Sequence, residues 1–308
     1  MQLKSEKMPL EKLKWVYLVV LSIVWGSSFI LIKKGLVGLS AIEVGSFRII
    51  FAAVFLILIG FKSIMKIKKN QWKWMFLIGF LGNFFPVYLF SFAETEIDSA
   101  VASILNAATP LMTLIFGAMF FKAAFNQNKI LGVVIGLLGT AGLILSGASI
   151  NPDQNYLYSL LVIIAASCYA MNVNILKTHM SSISPLRIAA GSFTVLLIPN
   201  MVILYFSGFF EKDLSNNVLQ ESIGYVAILG VIGTGVAMII FNKLVQISDP
   251  VFTTSVTYTI PVVALGWGIL DGEVFSALQL LSAFVILIGV FIVNRSKKVF
   301  SKFRKQAT

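Results

Sequence analysis

The chain has 308 residues, of which 58% are hydrophobic and only 12% are charged. Soluble domains of average composition carry about 25% charged residues, so this composition excludes an ordinary soluble domain. The formal net charge of +11 invites a nucleic-acid partner. The basic residues are instead spread between long apolar stretches, which is typical of membrane topology and excludes a nucleic-acid-binding surface.

Ten apolar segments follow one another along the chain, each of about 18 residues or more, the length that spans a bilayer as a helix. Only the second segment contains a charged residue, Arg48. Almost no sequence remains for a soluble domain. We therefore predict an all-α integral membrane protein with ten transmembrane helices. The apolar segments are 15–32, 44–61, 75–93, 99–121, 130–152, 154–176, 188–210, 222–242, 250–270 and 274–294.

The second half of the chain repeats the first. Trp25 recurs as Tyr169, 144 residues later, and Asn106 recurs as Thr257, 151 residues later. Five helices per half is an odd number, so the second half must enter the membrane from the opposite side, as in many secondary transporters. We therefore predict two inverted five-helix repeats at 14–150 and 155–295, with basic tails at 1–13 and 296–308.

The basic residues mark one side of the predicted bundle. All of them except Lys33, Lys34, Arg48 and Lys212 fall in the tails or near alternate loops. The positive-inside rule makes these loops cytoplasmic, which predicts a protein of the cytoplasmic (plasma) membrane with both termini in the cytoplasm. The basic tails are expected to set this topology and to contact anionic lipid.

Polar side chains within the apolar segments are costly in lipid, so their positions are informative. Predicted helices 1, 3, 4, 6, 8 and 9 carry most of them. One interpretation is hydrogen bonding between helices, typically worth less than about 1 kcal/mol per bond. That interpretation stays open for any single side chain, whereas the set favours a central polar cavity. The repeat-related pairs are Trp25 with Tyr169, Ser28 with Asn172, Asn83 with Thr234, and Asn106 with Thr257.

Pro110 and Pro261 interrupt predicted helices 4 and 9 at matched positions. Each proline lacks an N–H and frees the carbonyl four residues earlier, at Asn106 or Thr257. Matched breaks in the two halves point to a transporter binding site. The freed carbonyls either accept from a substrate or are satisfied by neighbouring groups in a simple kink.

Arg48 is the only charge well inside a predicted span. It either snorkels outward, pairs with an extracellular carboxylate such as Glu43 or Glu273, or contacts an anionic group of a substrate. The predicted substrate-binding residues are Trp25, Ser28, Arg48, Asn83, Asn106, Pro110, Tyr169, Asn172, Thr234, Thr257, Tyr258 and Pro261.

Motifs for other chemistries are missing from the sequence. It contains no P-loop, HExxH motif or nucleophile elbow, so we expect neither an ATP-driven motor nor an enzyme. The single cysteine, Cys168, excludes a thiolate metal cluster, and we expect no metal and no cofactor. Gly132, Gly136 and Gly139 form a small-residue face for close packing, either within the protomer or in a possible homodimer.

Five sequence features together resemble the drug/metabolite transporter superfamily, specifically its EamA-type ten-helix exporters, over residues 14–295. The resemblance implies a secondary transporter that exports an amino acid, another metabolite or a toxic compound through a central cavity. Lys122 departs from the pattern, because the family usually has an acidic residue just after helix 4. The features are WGSSF (25–29), Phe47 with Arg48, ASILNAATPL (102–111), YTIPVVALGWGILDGE (258–273) and Gly289.

The cavity composition suits a small neutral or zwitterionic solute, and the sequence leaves the substrate and the energy coupling open. Proton antiport and facilitated diffusion are both compatible with it, since downhill transport needs no ion site. The alternative to an alternating-access carrier is a channel-like or sensory membrane protein. The mirrored breaks favour the carrier.

Overall fold

The computed structural model of the chain describes residues 9–97, 102, 105–123, 127–146, 155–260, 262–263 and 277–295. Within these residues the regular secondary structure is entirely helical. The helices are α1 (Leu10–Leu36), α2 (Ala41–Ile64), α3 (Lys69–Ala93), α4 (Thr109–Phe121), α5 (Gln127–Leu145), α6 (Ser159–His179), α7 (Pro185–Phe206), α8 (Asn217–Ile247), α9 (Pro250–Thr254) and α10 (Ala277–Arg295).

Six of the helices, α1, α2, α3, α6, α7 and α8, are long and apolar enough to cross a membrane. Large apolar side chains remain exposed on their outer faces, for example Leu58 at 74% and Phe206 at 80%. Surfaces of this kind are stable in lipid and not in water. The prediction of an all-helical membrane protein is therefore confirmed, and the count of ten spanning helices stays a prediction.

The helices pack in pairs around a shared interior. α2 lies against α7, α6 against α3 and α4, and α1 against the second half of α8. α5 and α10 pack mainly on each other. A Cβ atom on Gly289 would lie 2.6 Å from the backbone nitrogen of Gly136, so only glycine permits this approach. The predicted glycine face is therefore used within the chain, and a homodimer stays a prediction.

One end of the bundle, called here the α1–α2 end, is tied by buried polar contacts. Ser40 and Glu43 form a capping box at the start of α2. The Glu43 carboxylate is 1% exposed and accepts from Lys212 Nζ at 2.6 Å. The hydroxyl of Ser222, in α8, donates to the Lys34 carbonyl at 3.1 Å. These contacts hold the last turns of α1 and the first turns of α2 against the α7–α8 loop and α8.

Side chains of the α7–α8 loop stabilise its own conformation. Ser215 donates its backbone N–H and its hydroxyl to Asp213 at 2.9 and 2.7 Å. These two bonds lower the pKa of the Asp213 carboxyl from its ordinary value, because they favour the charged form. Asn216 then caps α8 by accepting from the backbone N–H of Val218.

Candidate functional site

A cavity with an empty volume of about 930 Å³, including its open mouth, lies between α1, α2, α3, α4, α6, α8 and α9. Among the described residues, none from α5 or α10 lines it. The lining residues are Trp25, Ser28, Phe29, Ile32, Arg48, Gly82, Asn83, Val87, Phe90, Glu94, Asn106, Thr109, Tyr169, Asn172, Val173, Gly233, Thr234, Met238, Phe241, Thr254, Val256, Thr257 and Ile260.

Nine of the twelve residues selected from the sequence line this one cavity. They include both members of every repeat-related pair, although each pair joins positions about 150 residues apart. Arg48 is the ninth. Pro110 and Tyr258 lie elsewhere, and Pro261 is outside the described residues. The pairs that line the cavity are Trp25 with Tyr169, Ser28 with Asn172, Asn83 with Thr234, and Asn106 with Thr257.

Tyr258 faces away from the cavity and is fully buried. Its hydroxyl donates to the Val133 carbonyl of α5 at 2.9 Å, and its ring occupies the space that a side chain on Gly136 would take. One residue of an α-helix turns the direction of the side chain by about 100°, so Thr257 and Tyr258 need not face the same space. Tyr258 packs the helical segment that follows α9 against α5, and it is not among the residues that line the cavity.

Pro110 lies just after a break in predicted helix 4, where a turn at Ala107 and Ala108 separates the helical residues Leu105 and Asn106 from α4. It occupies the first turn of α4, where a missing N–H costs little. The carbonyl it frees, at Asn106, accepts from the Thr109 hydroxyl at 2.6 Å. Of the two alternatives for this carbonyl, the structure shows the one in which a neighbouring group satisfies it, and Thr109 itself lines the cavity beside Asn106.

Matched irregularities also border the cavity in α3 and α8. Each helix contains a π-helical stretch, Phe80–Phe84 in α3 and Leu229–Val236 in α8. Shifted by the repeat spacing of 151 residues, the first stretch falls inside the second. π-helical turns are rare and often mark functional positions. The sequence does not reveal them, because one extra residue in a turn hardly changes the apolar pattern of a membrane helix.

A glycine in each π-helical stretch makes room for a polar side chain of the paired helix. A Cβ on Gly82 would lie 2.7 Å from Cγ of Asn172, and one on Gly233 would lie 3.1 Å from the Ser28 hydroxyl. The Gly233 carbonyl also accepts from Trp25 Nε1 at 3.0 Å. Gly82 and Gly233 are thus related by the repeat, and both place polar groups at the cavity wall.

Arg48 points into the cavity from α2. Its Nε donates to the Thr234 hydroxyl at 2.8 Å, which joins α2 to the π-helical stretch of α8. Glu94, on the same cavity wall, attracts the guanidinium, but Arg48 takes part in none of the ion pairs of the described residues. Pairing with Glu43, one of the alternatives for Arg48, is not formed, since Glu43 binds Lys212. Glu273 is outside the described residues.

Two buried amides in the cavity wall retain unused hydrogen-bonding atoms. Asn83 is 3% exposed and Asn172 is 1% exposed. Within the described residues, Asn83 Nδ2 and Asn172 Oδ1 have no hydrogen-bond partner. A buried polar atom without a partner is destabilising by about 1–3 kcal/mol. Such atoms at a cavity wall indicate a site that binds a polar ligand or water.

The opposite end of the bundle, called here the α8–α9 end, is closed by contacts below the cavity. Lys177, at the end of α6, donates from Nζ to the carbonyls of Val245, Gln246 and Ser248 at 2.9, 3.1 and 2.5 Å. These carbonyls are at the end of α8, where an ammonium is stabilised by the helix dipole. The cavity lining in α8 stops at Phe241, more than one turn before these carbonyls.

Two further contacts cross the same end. Lys129 forms an ion pair with Asp249 at 3.1 Å, and Asp249 also caps α9 by accepting from the Phe252 N–H. Gln246 donates to the Ile183 carbonyl of the α6–α7 turn at 2.5 Å. Together with Lys177, these bonds join α5, α6, α8 and α9. Sequence reasoning treated Lys177 and Lys129 only as topology signals and missed this role.

Lys122, where the family pattern has an acid, is the last residue of the α4 C-terminal cap. Its φ of 50° is left-handed, and it is the only non-glycine residue with positive φ in the described part of the chain. Non-glycine residues adopt this conformation at a cost of roughly 1–2 kcal/mol. Lys122 therefore shapes the end of α4, and it is not among the residues that line the cavity.

Sequence reasoning also missed the apolar part of the cavity wall. Phe29, Phe90, Met238 and Phe241 line the cavity beside the polar pairs. Phe241 packs against the Trp25 ring at 5.3 Å between centroids. No pattern distinguishes such residues in a membrane helix, because lipid-facing and cavity-facing apolar residues are of the same types.

The paired polar residues, the matched π-helical stretches and the membrane-spanning helices are features of membrane transporters. The chain belongs to the EamA-like transporter family, which matches it twice, at residues 13–145 and 157–295. Family membership implies a transporter with a small-molecule substrate and not an enzyme.

Curated relatives of similar length are also named as transporters. An uncharacterized transporter of Archaeoglobus fulgidus is 25% identical and covers 92% of this chain and 99% of its own length. The uncharacterized inner membrane transporter YedA of Escherichia coli is 27% identical over 92% of this chain and 91% of its own. The uncharacterized transporter YdfC of Bacillus subtilis is 26% identical, with 90% of each chain covered.

A solved crystal structure has the same fold. It superposes with a TM-score of 0.69 over 95% of this chain and 98% of its own. The sequence identity is 15%, so the likeness concerns the fold alone.

Proposed function

We propose that the protein is a secondary transporter that exports a small metabolite, amino acid or drug-like solute across the cytoplasmic membrane by alternating access. It consists of two inverted five-helix repeats, 14–150 and 155–295, with both termini in the cytoplasm. The α8–α9 end is then the cytoplasmic end and the α1–α2 end the outer one.

One observation carries this proposal. Four pairs of repeat-related residues surround a single cavity, although nothing in the composition of a membrane helix requires them to meet. Transporters built from inverted repeats bind their substrates at the interface of the two halves. The π-helical stretches of α3 and α8, at equivalent positions, add a matched irregularity on each side of that interface.

The contacts at the two ends of the bundle favour alternating access and argue against a permanently open pore. Lys177 bonds three carbonyls below the cavity at the α8–α9 end. Lys33, its counterpart in the repeat, is exposed at the α1–α2 end. At the α1–α2 end, the lining extends past the last residue of α3, to Glu94. This asymmetry fits a carrier whose cavity faces the outer side while the cytoplasmic side is closed.

Counterflow in proteoliposomes tests the carrier mechanism. Vesicles loaded with an excess of one unlabelled amino acid or metabolite are diluted into a trace of the same labelled compound. We expect transient accumulation of label for a transported solute, because a carrier exchanges across the membrane. Gly82→Val is the matched negative control, since its side chain fills the space of the Asn172 amide. Equilibration without accumulation contradicts a carrier and favours the channel-like alternative.

Reporter fusions test the inverted topology. A fusion within residues 151–155 is expected to report the outer side, and one after Thr308 the cytoplasm. Five predicted spans precede residue 151 and five more follow it, so the two positions fall on opposite sides. Alkaline phosphatase and green fluorescent protein activities give opposite readouts at each position. The same readout at both positions would contradict the inverted-repeat arrangement.

A further inference from the structure

We propose that Arg48 is the anchor for a carboxylate group of the transported solute, so that the substrates are small organic acids or zwitterions. This inference rests on the proposed transport function and names the substrate class of the same cavity. Arg48 is in α2, on the wall of the cavity, and its Nε is held by Thr234.

Among the described residues, no carboxylate lies within ion-pair distance of the Arg48 guanidinium, and Glu94, on the same cavity wall, attracts it only from farther away. The ion pairs of the described residues are Lys14–Glu11, Lys129–Asp249 and Lys212–Glu43, and none includes Arg48. An unpaired guanidinium within a membrane protein is costly, and such residues commonly mark substrate pathways. A carboxylate that enters the cavity supplies the missing partner.

The geometry of the guanidinium suits a planar anion. A hydrogen bond of 2.8 Å from Arg48 Nε to the Thr234 hydroxyl fixes the side chain. In the described part of the structure, no other hydrogen bond of Arg48 is formed, so the terminal N–H groups remain for the cavity. Arginine binds carboxylates through two parallel N–H donors, which gives orientation as well as affinity.

The two amides of the wall complete the recognition of such a solute. Asn83 Nδ2 is a donor and Asn172 Oδ1 an acceptor, and neither has a partner among the described residues. A hydroxyl or ammonium next to the carboxylate can donate to Asn172, and a carboxylate or hydroxyl oxygen can accept from Asn83. Trp25, Tyr169 and Phe241 surround the remaining apolar part of the solute.

Binding to the purified protein tests the inference directly. The probes are 3-phenylpropionate, 3-phenyllactate and phenylalanine, which share a carboxylate and differ in the neighbouring group. The uncharged comparison is 3-phenyllactamide, which has the shape of 3-phenyllactate without its charge. We expect at least one of the carboxylates to raise the melting temperature in detergent, and the amide to have no effect.

Substitution of Arg48 gives the second arm of the experiment. Arg48→Gln is expected to weaken carboxylate binding at least about tenfold, since charge-assisted bonds are lost. Lys66→Gln, which removes the same charge from an exposed position, is expected to bind like the unaltered protein. Equal binding of acid and amide, equal binding by Arg48→Gln, or no binding of any of the three acids overturns the inference.

The melting temperature of the ligand-free protein distinguishes an anchor from a structural role. Arg48→Met removes a charge that forms no ion pair among the described residues, so we expect the empty protein to melt at the same or a higher temperature. A structural ion pair would instead make the variant melt lower. Stability lowered together with unchanged carboxylate binding would contradict the anchor.

These outcomes separate the inference from the proposed function. Binding that depends on Arg48, without counterflow of the bound acid, contradicts the carrier and leaves the anchor intact. Counterflow of a neutral solute that is unchanged in Arg48→Gln supports the carrier and contradicts the anchor.

Discussion

Replacing Lys177 with alanine is expected to open the α8–α9 end of the cavity. The variant loses three hydrogen bonds from one ammonium to the carbonyls at the end of α8. Bonds that involve a charged group contribute about 1.5–3 kcal/mol each when buried, so the loss of even one shifts the equilibrium between closed and open forms at least about tenfold. The variant should therefore spend more time open at this end.

Cysteine labelling measures this opening. Thr254, which lines the cavity one turn into α9, is replaced by cysteine in a Cys168→Ala background. In inside-out vesicles, a membrane-impermeant maleimide is expected to react at least about tenfold faster in the Lys177→Ala variant. Lys243→Ala removes a cation from the same end without these bonds, and it is expected to label at the original rate. An unchanged rate in the Lys177 variant would mean that its bonds do not close the cavity.

Replacing Gly289 with alanine is expected to destabilise the whole protein. The new Cβ would lie 2.6 Å from N and 2.7 Å from Cα of Gly136, and 2.9 Å from the Gly132 carbonyl oxygen. All three atoms are backbone, so α5 and α10 must move apart. Overpacking of this kind typically destabilises by about 1–3 kcal/mol, which lowers the melting temperature by several degrees.

The control for this substitution is a glycine in an equally helical but open position. A Cβ on Gly224, in α8, meets no atom within 4 Å. Gly224→Ala should be neutral or stabilising by up to about 1 kcal/mol, because alanine favours the helix. Thermal unfolding in detergent compares the two variants. Equal melting temperatures would contradict the close α5–α10 contact.

The sequence predicts the cavity better than the details of its wall. The pairing of Trp25 with Tyr169 and of Asn83 with Thr234 follows from duplication, and all four line one space. In a repeat, each residue of one half has an equivalent in the other half. The spacing of the repeat therefore identifies equivalent residues without any knowledge of packing. Tyr258 shows the limit of this prediction. Its neighbour Thr257 lines the cavity, whereas Tyr258 contacts α5.

The contacts at the bundle ends were not predictable in the same way. Lys177 and Lys212 look like ordinary residues at the ends of apolar segments. Their partners, Ser248 and Glu43, are distant in sequence and are brought near only by tertiary packing. A charge count gives the side of the membrane on which a lysine lies and contains no information on which carbonyl it bonds.

The π-helical stretches of α3 and α8 change the direction in which the two parts of each helix point their side chains. One additional residue in a turn rotates all that follows by about 100° around the helix axis. In α8, Gly230, at the beginning of the π-helical stretch, lies against the backbone of Arg48 in α2. Met238 and Phe241, beyond it, face the cavity. Because of this rotation, the first half of α8 can pack against α2 while the second half turns its side chains toward the cavity. The backbone of α8 stays continuous between the two halves.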